Sequence, residues 1–166
     1  MEKKILNDFC FHTPKTLDEA LVLIDKYQEN GLLMEGGSEV IPNMKSLVVT
    51  PDHIISLKHI PEFDYITYTP GEGLHIGPSC TLTKVEYDPD VQTVYPSLYM
   101  GVHGMSNTNI HNISTVTGNI CYAVPSADTA APLLTLNAEL SVKSVDGERK
   151  VPITELFAGV RRTTLK

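Results

Sequence analysis

The sequence lacks tryptophan, any cluster of Lys and Arg, any long apolar run, and any close pair of cysteines. Each absence excludes something. Binding to nucleic acid rests on neutralising phosphates, and docking on acidic lipid needs a basic surface. With 13 Lys and Arg against 20 Asp and Glu, the chain carries a net charge of −7 and has neither. A membrane-spanning helix needs about 18 or more consecutive apolar residues, and no stretch approaches that. Met1-Glu2-Lys3-Lys4-Ile5-Leu6-Asn7-Asp8 has a charged start but no apolar run behind it, so no signal peptide is expected. Cys10, Cys80 and Cys121 are odd in number and far apart, which fits neither a disulfide framework nor a CxxC metal knuckle. A reduced, cytoplasmic protein is the expectation. What is present is ordinary globular composition, 42% apolar and 20% charged over 166 residues. Any anionic ligand must then be held mainly by backbone N–H groups.

The clearest helix is expected from about Leu17 to Asn30. Thr16 and Glu19 make a capping box. Leu17, Ala20, Leu21, Ile24 and Tyr27 recur at helical spacing, and Gly31 supplies a left-handed stop. Leu32-Leu33-Met34 reads as a buried strand, and His53 to Leu57 as a second that closes a small β-α-β unit. Beyond Lys58 the pattern changes. Tyr65 to Tyr68 and Leu74 to Ile76 flank Pro70-Gly71-Glu72-Gly73, a hairpin signal. Short helices are expected over Thr81 to Tyr87, ended by Pro89, and from Pro96 to His103. Asn107 to Ser126 is polar with no clean period. Asp128 opens an apolar helix over Thr129 to Leu136. The strand Ala138 to Val145, the turn Asp146-Gly147, a strand around Lys150-Val151 and a short helix Pro152 to Phe157 follow. The class is α+β in two lobes, 1–58 and 59–166, with the boundary near Lys58 to Glu62.

Two segments hold more small and polar residues than packing needs. In Met34-Glu35-Gly36-Gly37-Ser38-Glu39-Val40 an apolar strand runs into Gly-Gly-Ser. Successive N–H groups there can converge on phosphate oxygens, or the segment is a tight turn between two elements. It is not a P-loop, because no Gly-Lys-Ser/Thr follows, and it lacks the third glycine of a Rossmann fingerprint. The second segment, Asn107 to Ile120, is dense in Asn, Ser and Thr that either cap turns or face a polar ligand. Asp128 is a helix N-cap by default and is near enough in sequence to reach the same ligand. His53, His59, His75, His103 and His111 lack metal-ligand spacing and read as surface or capping residues. Ser79 lacks the second glycine of a nucleophile elbow, and the acidic residues form no obvious acid/base pair.

In order, these segments resemble the FAD-binding subunit of the molybdenum hydroxylases, the family of xanthine dehydrogenase, aerobic carbon monoxide dehydrogenase, nicotinate dehydrogenase and 4-hydroxybenzoyl-CoA reductase. Phe9-Cys10-Phe11-His12-Thr13-Pro14-Lys15-Thr16-Leu17-Asp18-Glu19-Ala20 resembles its Y-x-x-P-x-S-L-x-E-A. Glu35 to Lys45 resembles A-G-G-T-D-L-x-P-x-M-K. Asn109 to Ile120 resembles Q-I-R-N-x-A-T-I-G-G-N-I, and Pro125 to Leu134 resembles P-x-A-D-x-x-P-x-L-L. Glu155-Leu156-Phe157-Ala158-Gly159 with Arg162 to Leu165 is similar to E-F-F-x-G-x-x-x-T-x-L. Asn109, His111 and Thr117 depart from the family's Gln, Arg and Gly.

The resemblance implies the two-lobed FAD-binding fold of the vanillyl-alcohol oxidase (PCMH) type and noncovalent FAD. It implies that Met34, Glu35, Gly36, Gly37, Ser38, Glu39 and Val40 line the pyrophosphate, with Gly36, Gly37 and Ser38 donating. Thr115, Gly118 and Asn119 would line the other side, Asp128 would bond the ribityl chain or the flavin's polar edge, and Cys121 would lie against the isoalloxazine. Ser106 joins this cofactor-binding set. No residue is implied as catalytic or metal-binding. The family subunit continues past the equivalent of Lys166 into a C-terminal domain, absent here. The implied role is electron transfer. Iron–sulfur and molybdopterin-cofactor subunits deliver electrons to FAD, and NAD or another acceptor receives them. The alternative is an assembly scaffold that keeps the fold without holding FAD. A third reading, a stand-alone flavin reductase, would need an acid/base residue, for which only Ser126 and Tyr122 offer themselves.

Overall fold

The computed structural model describes residues 6–165, so the first five residues of the segment read for a leader lie outside the described residues. A parallel sheet comes first in the chain: β1 (Cys10–His12), β2 (Gly31–Met34) and β3 (His53–Ser56), in the order β1-β3-β2. Parallel neighbours need a crossover. Between β1 and β2 it is α1 (Leu17–Tyr27), and between β2 and β3 it is α2 (Val40–Lys45). Thr16 Oγ1 accepts from Glu19 N at 3.2 Å, while Glu19 Oε2 reaches back to Lys15 N at 2.7 Å, one residue beyond the usual capping box. Gly31 is not the left-handed stop expected from the sequence. It is extended at φ −102 and begins β2, and Gln28 takes the positive φ of 42 that ends α1. Ala20, Met44, Ile54 and Ile55 close this core.

The hairpin of β4 (Ile66–Thr69) and β5 (Gly73–Ile76) forms as its turn residues require. Three short helices follow: α3 (Leu82–Tyr87), α4 (Pro89–Val94) and α5 (Pro96–His103). Pro89 does more than stop α3. Asp88 Oδ1 accepts from both Asp90 N and Val91 N at 3.0 Å, so Pro89 becomes the first residue of α4. The aperiodic polar stretch folds into two helices too short to show a period, α6 (Thr108–His111) and α7 (Val116–Cys121), capped by Asn107 and Thr115. α8 (Ala130–Thr135) leads to the hairpin β6 (Glu139–Ser144) and β7 (Gly147–Pro152), then α9 (Ile153–Leu156) and the small ladder β8 (Phe157–Gly159) with β9 (Arg162–Thr163). Leu82, Val85, Val91, Leu98, Val102 and Leu156 centre the second core, each 1% exposed or less. Burying each contributes roughly 1.5–3 kcal/mol. No helix of the described residues is long and apolar enough to cross a membrane.

Candidate functional site

The two segments singled out in the sequence, some 75 residues apart, meet in the fold. A Cβ built on Gly36 would lie 1.7 Å from the Ile113 carbonyl oxygen and 3.1 Å from Ser114 N, so the backbones are in direct contact. Only glycine permits that approach. Ser114 Oγ donates to Ser38 Oγ at 2.8 Å and fixes the contact. Gly37 holds φ +72, which turns the loop.

Four successive N–H groups in this loop, those of Gly36, Gly37, Ser38 and Glu39, have no hydrogen-bond partner among the described residues. They open the turn into α2, where N–H groups have no intrahelical partner, and several on one turn suit an anion. Just beyond the Ser114 contact, Thr115 Oγ1 accepts from Gly118 N at 3.0 Å and so starts α7. A Cβ on Gly118 would meet Thr115 Oγ1 at 3.1 Å, a tight contact with the cap of its own helix, and no other group outside that helix's backbone. Thr117 sits within α7 without positive φ, so its backbone does not require the glycine the family carries there. Asn119 Oδ1 accepts from Thr129 Oγ1 at 2.5 Å and from Thr129 N at 3.4 Å, which leaves its Nδ2 free to donate. Asp128 is exposed and is not the N-cap of the following helix. Thr129 takes that position, and no side chain caps it. The Asp128 carboxylate is therefore free, next to the residue that holds Asn119.

The expected site residues are not all gathered here. Gly36 and Ser38 meet Ile113 and Ser114, the residues just before Thr115, and Gly118, Asn119 and the exposed Cys121 follow along α7. Ser106 lies elsewhere, in a polar pocket with Glu86, His103, Asn107, Thr108 and His111. It makes no hydrogen bond to the loop, although its φ of 47 marks a sharp turn. The sequence reading missed the role of Ser79, whose Oγ donates to Glu35 Oε1 at 2.7 Å. It also missed Asn43. Its amide donates to Glu39 O at 2.8 Å and to Tyr122 Oη at 3.0 Å, which ties α2 to the end of α7. Arg161 covers the Tyr122 ring at 5.2 Å, and its N–H donates to Ala123 O at 2.7 Å. Nothing local in the sequence signalled these three, because each partner is distant along the chain.

Burial raises the Glu35 carboxyl above its ordinary value, and the Ser79 hydrogen bond offsets only part of that. A folded-state value above the unfolded one means that this group's contribution to stability is fully present below its unfolded value and lost as pH rises through the folded one. Glu35→Gln keeps an acceptor for Ser79 and removes the charge. We expect it to melt at or above the wild-type temperature at pH 7 and to bind anions more tightly. A drop in melting temperature of more than about 4 °C, roughly 1 kcal/mol or more, would contradict this.

Two loops in backbone contact, one of them with unpartnered N–H groups, suit a cofactor that carries phosphates. The comparisons agree. The sequence profile described as the FAD binding domain in molybdopterin dehydrogenase matches residues 7–166, and the chain belongs to that family. FAD is thus the cofactor of this domain. The nicotinate dehydrogenase FAD-subunit of Eubacterium barkeri is 29% identical over 155 residues, 93% of this chain and 52% of that protein. The xanthine dehydrogenase FAD-binding subunit of Escherichia coli O157:H7 is 31% identical over 161 residues, 96% of this chain and 54% of that one. Among solved structures, carbon monoxide dehydrogenase from Hydrogenophaga pseudoflava superposes with a TM-score of 0.93 at 28% identity, covering 98% of this chain and 56% of that one. These relatives establish the expected fold, α+β and FAD-binding. The chain spans about half the length of the curated relatives it matches.

The residues fit FAD on this structure's own terms. The loop at 36–39 offers the donors a pyrophosphate requires, Gly118 adds no side chain, and Asn119 keeps its amide free.

Proposed function

We propose that this chain is the FAD-holding part of the medium subunit of a molybdenum hydroxylase. The residues of 1–58 form one lobe and those of 59–166 the other. In this reading Gly36, Gly37 and Ser38 donate their N–H groups to the pyrophosphate, Thr115, Gly118 and Asn119 form the facing wall, and Asp128 bonds the ribityl chain or the flavin's polar edge. The observation that supports it is the Gly36–Ile113 contact, which joins the loop with unpartnered N–H groups to the segment that leads into α7. Bound FAD supplies the redox chemistry. The protein's task is binding and electrostatics, and no side chain here is assigned acid/base work. The iron–sulfur and molybdopterin-cofactor subunits are the proposed partners, and NAD or another acceptor takes the electrons. The three free thiols support a reducing, cytoplasmic setting.

Alkylation of the cysteines tests where FAD sits. Cys10 and Cys121 are exposed, while Cys80 is buried with its thiol pushed up to about 11. Cys121 is open to solvent at its surface, yet its sulfur is crowded enough that desolvation pushes it up to about 11 as well, so labelling is slow. Added FAD is expected to slow labelling of Cys121 by about tenfold or more and to leave Cys10 unchanged, read by peptide mass spectrometry. Equal protection of both cysteines, or of neither, would count against placing the flavin on Cys121.

A further inference from the structure

We propose that His111 is a positioning residue for the FAD cradle, acting as a doubly donating imidazolium that clamps the segment 105–115 to α3. The consequence for FAD rests on the functional reading above, but the clamp itself does not. His111 is 5% exposed. Its Nδ1 lies 2.8 Å from Glu86 Oε2, and its Nε2 meets the Met105 carbonyl oxygen. A carbonyl oxygen only accepts, and an ionised carboxylate only accepts, so both ring nitrogens must donate. A ring with two N–H groups is positively charged. The sequence reading placed His111 at the surface or at a cap; the structure instead buries it in an ion pair.

Glu86 is the charged partner. Hydrogen bonds from His103, at 2.8 Å, and then from His111 hold its carboxyl below the usual carboxylate range. The groups facing His111 are Glu86 from α3 and His103 from α5. Thr83, Tyr87, Ser106, Asn107 and Thr108 complete the pocket, and no other charged side chain lines it.

The clamp reaches the cradle through a short series of contacts. α3 grips the segment three times: Glu86 holds His111, Thr83 Oγ1 donates to Asn112 Oδ1 at 2.8 Å, and Leu82 N donates to Ser114 O at 2.8 Å. Ile113 N and Ser114 N both donate to Ile110 O, the residue before His111. Ile113 and Ser114 are the backbone on which Gly36 rests, and Ser114 holds Ser38. Removing one proton from His111 turns a bare nitrogen lone pair toward an acceptor, so either Met105 or Glu86 loses its donor. The backbone under Gly36 then loses one of its three ties.

Amide hydrogen exchange of the protein without added FAD, corrected for intrinsic rates, tests the clamp. Protection at position 111 and at Asn112, Ile113 and Ser114 is expected to fall by about tenfold in His111→Gln, which lacks the ring's two opposed donors, while β6 and β7 keep theirs. FAD affinity, measured by titration on the same protein, is expected to fall in parallel. His111→Arg, which keeps several donors, should retain both. Wild-type protection at these four amides in His111→Gln would overturn the proposal. So would unchanged FAD affinity in that variant. Protection lost in His111→Gln and regained in His111→Arg, in a protein that binds no FAD, would support the clamp and count against the FAD reading instead. If His111→Gln fails to fold, Glu86→Gln, which should reduce protection at the same amides, still decides.

Discussion

Gly36→Ala is expected to lose FAD and stability together. The new Cβ lands 1.7 Å from the Ile113 oxygen and 2.5 Å from its carbon, and both are backbone atoms that no rotamer change can move aside. The loops must separate, which breaks the Ser114–Ser38 hydrogen bond and shifts the N–H groups of 36–39. Overpacking of this kind costs about 2–3 kcal/mol, or roughly 5–10 °C of melting temperature in a chain of this size. Because the donors are displaced together, FAD affinity is expected to fall by about a hundredfold or more, the equivalent of some 3 kcal/mol. Thermal melting and an FAD titration of the same preparation check both parts. An alanine variant that melts and binds like wild type would show that the two loops do not meet as described.

Gly118→Val should separate what Gly36→Ala combines. Gly118 is exposed in α7, where an added Cβ meets only the cap oxygen of Thr115, at 3.1 Å. Valine is also slightly better than glycine inside a helix, by a few tenths of a kcal/mol. The tight contact with the cap offsets that gain, so the melting temperature is expected to fall by no more than about 4 °C. The side chain is added to the proposed facing wall, however, and FAD affinity should drop by about a hundredfold or more. Gly37→Val divides the two effects less cleanly, because φ +72 strains any side chain by about 1–2 kcal/mol. Unchanged affinity in Gly118→Val would remove α7 from the binding surface.

These two glycines also show how far the sequence could be read. The apolar strand running into Gly36-Gly37-Ser38, the Thr16 cap and the Gly-rich hairpin turn are local signals, and each formed the expected element. Asn107 and Thr115 are plain capping residues, but helices of 4 and 6 residues are too short for apolar periodicity, so their stretch looked irregular. β1 has three residues at the sheet edge, and α4 depends on Asp88 capping around a proline usually read as a stop. The bare contact of Gly36 with Ile113, the Ser79–Glu35 bond and the Glu86–His111 pair join residues 25 to 77 apart. Only tertiary packing creates them. Charge was informative in a different way. An acidic chain without a basic patch has to hold a diphosphate through backbone amides, and the amides without partners lie in the glycine loop.

FAD is expected to sit between the 34–40 and 115–119 segments of this chain. The most direct measurement is a visible absorption spectrum of the protein after incubation with FAD and removal of excess, with the released cofactor identified by chromatography. Wild type is expected to show flavin absorption and release intact FAD, while Gly118→Val, equally folded, is expected to show neither. A wild-type protein that takes up no FAD, or a Gly118→Val variant that retains it fully, would contradict the account.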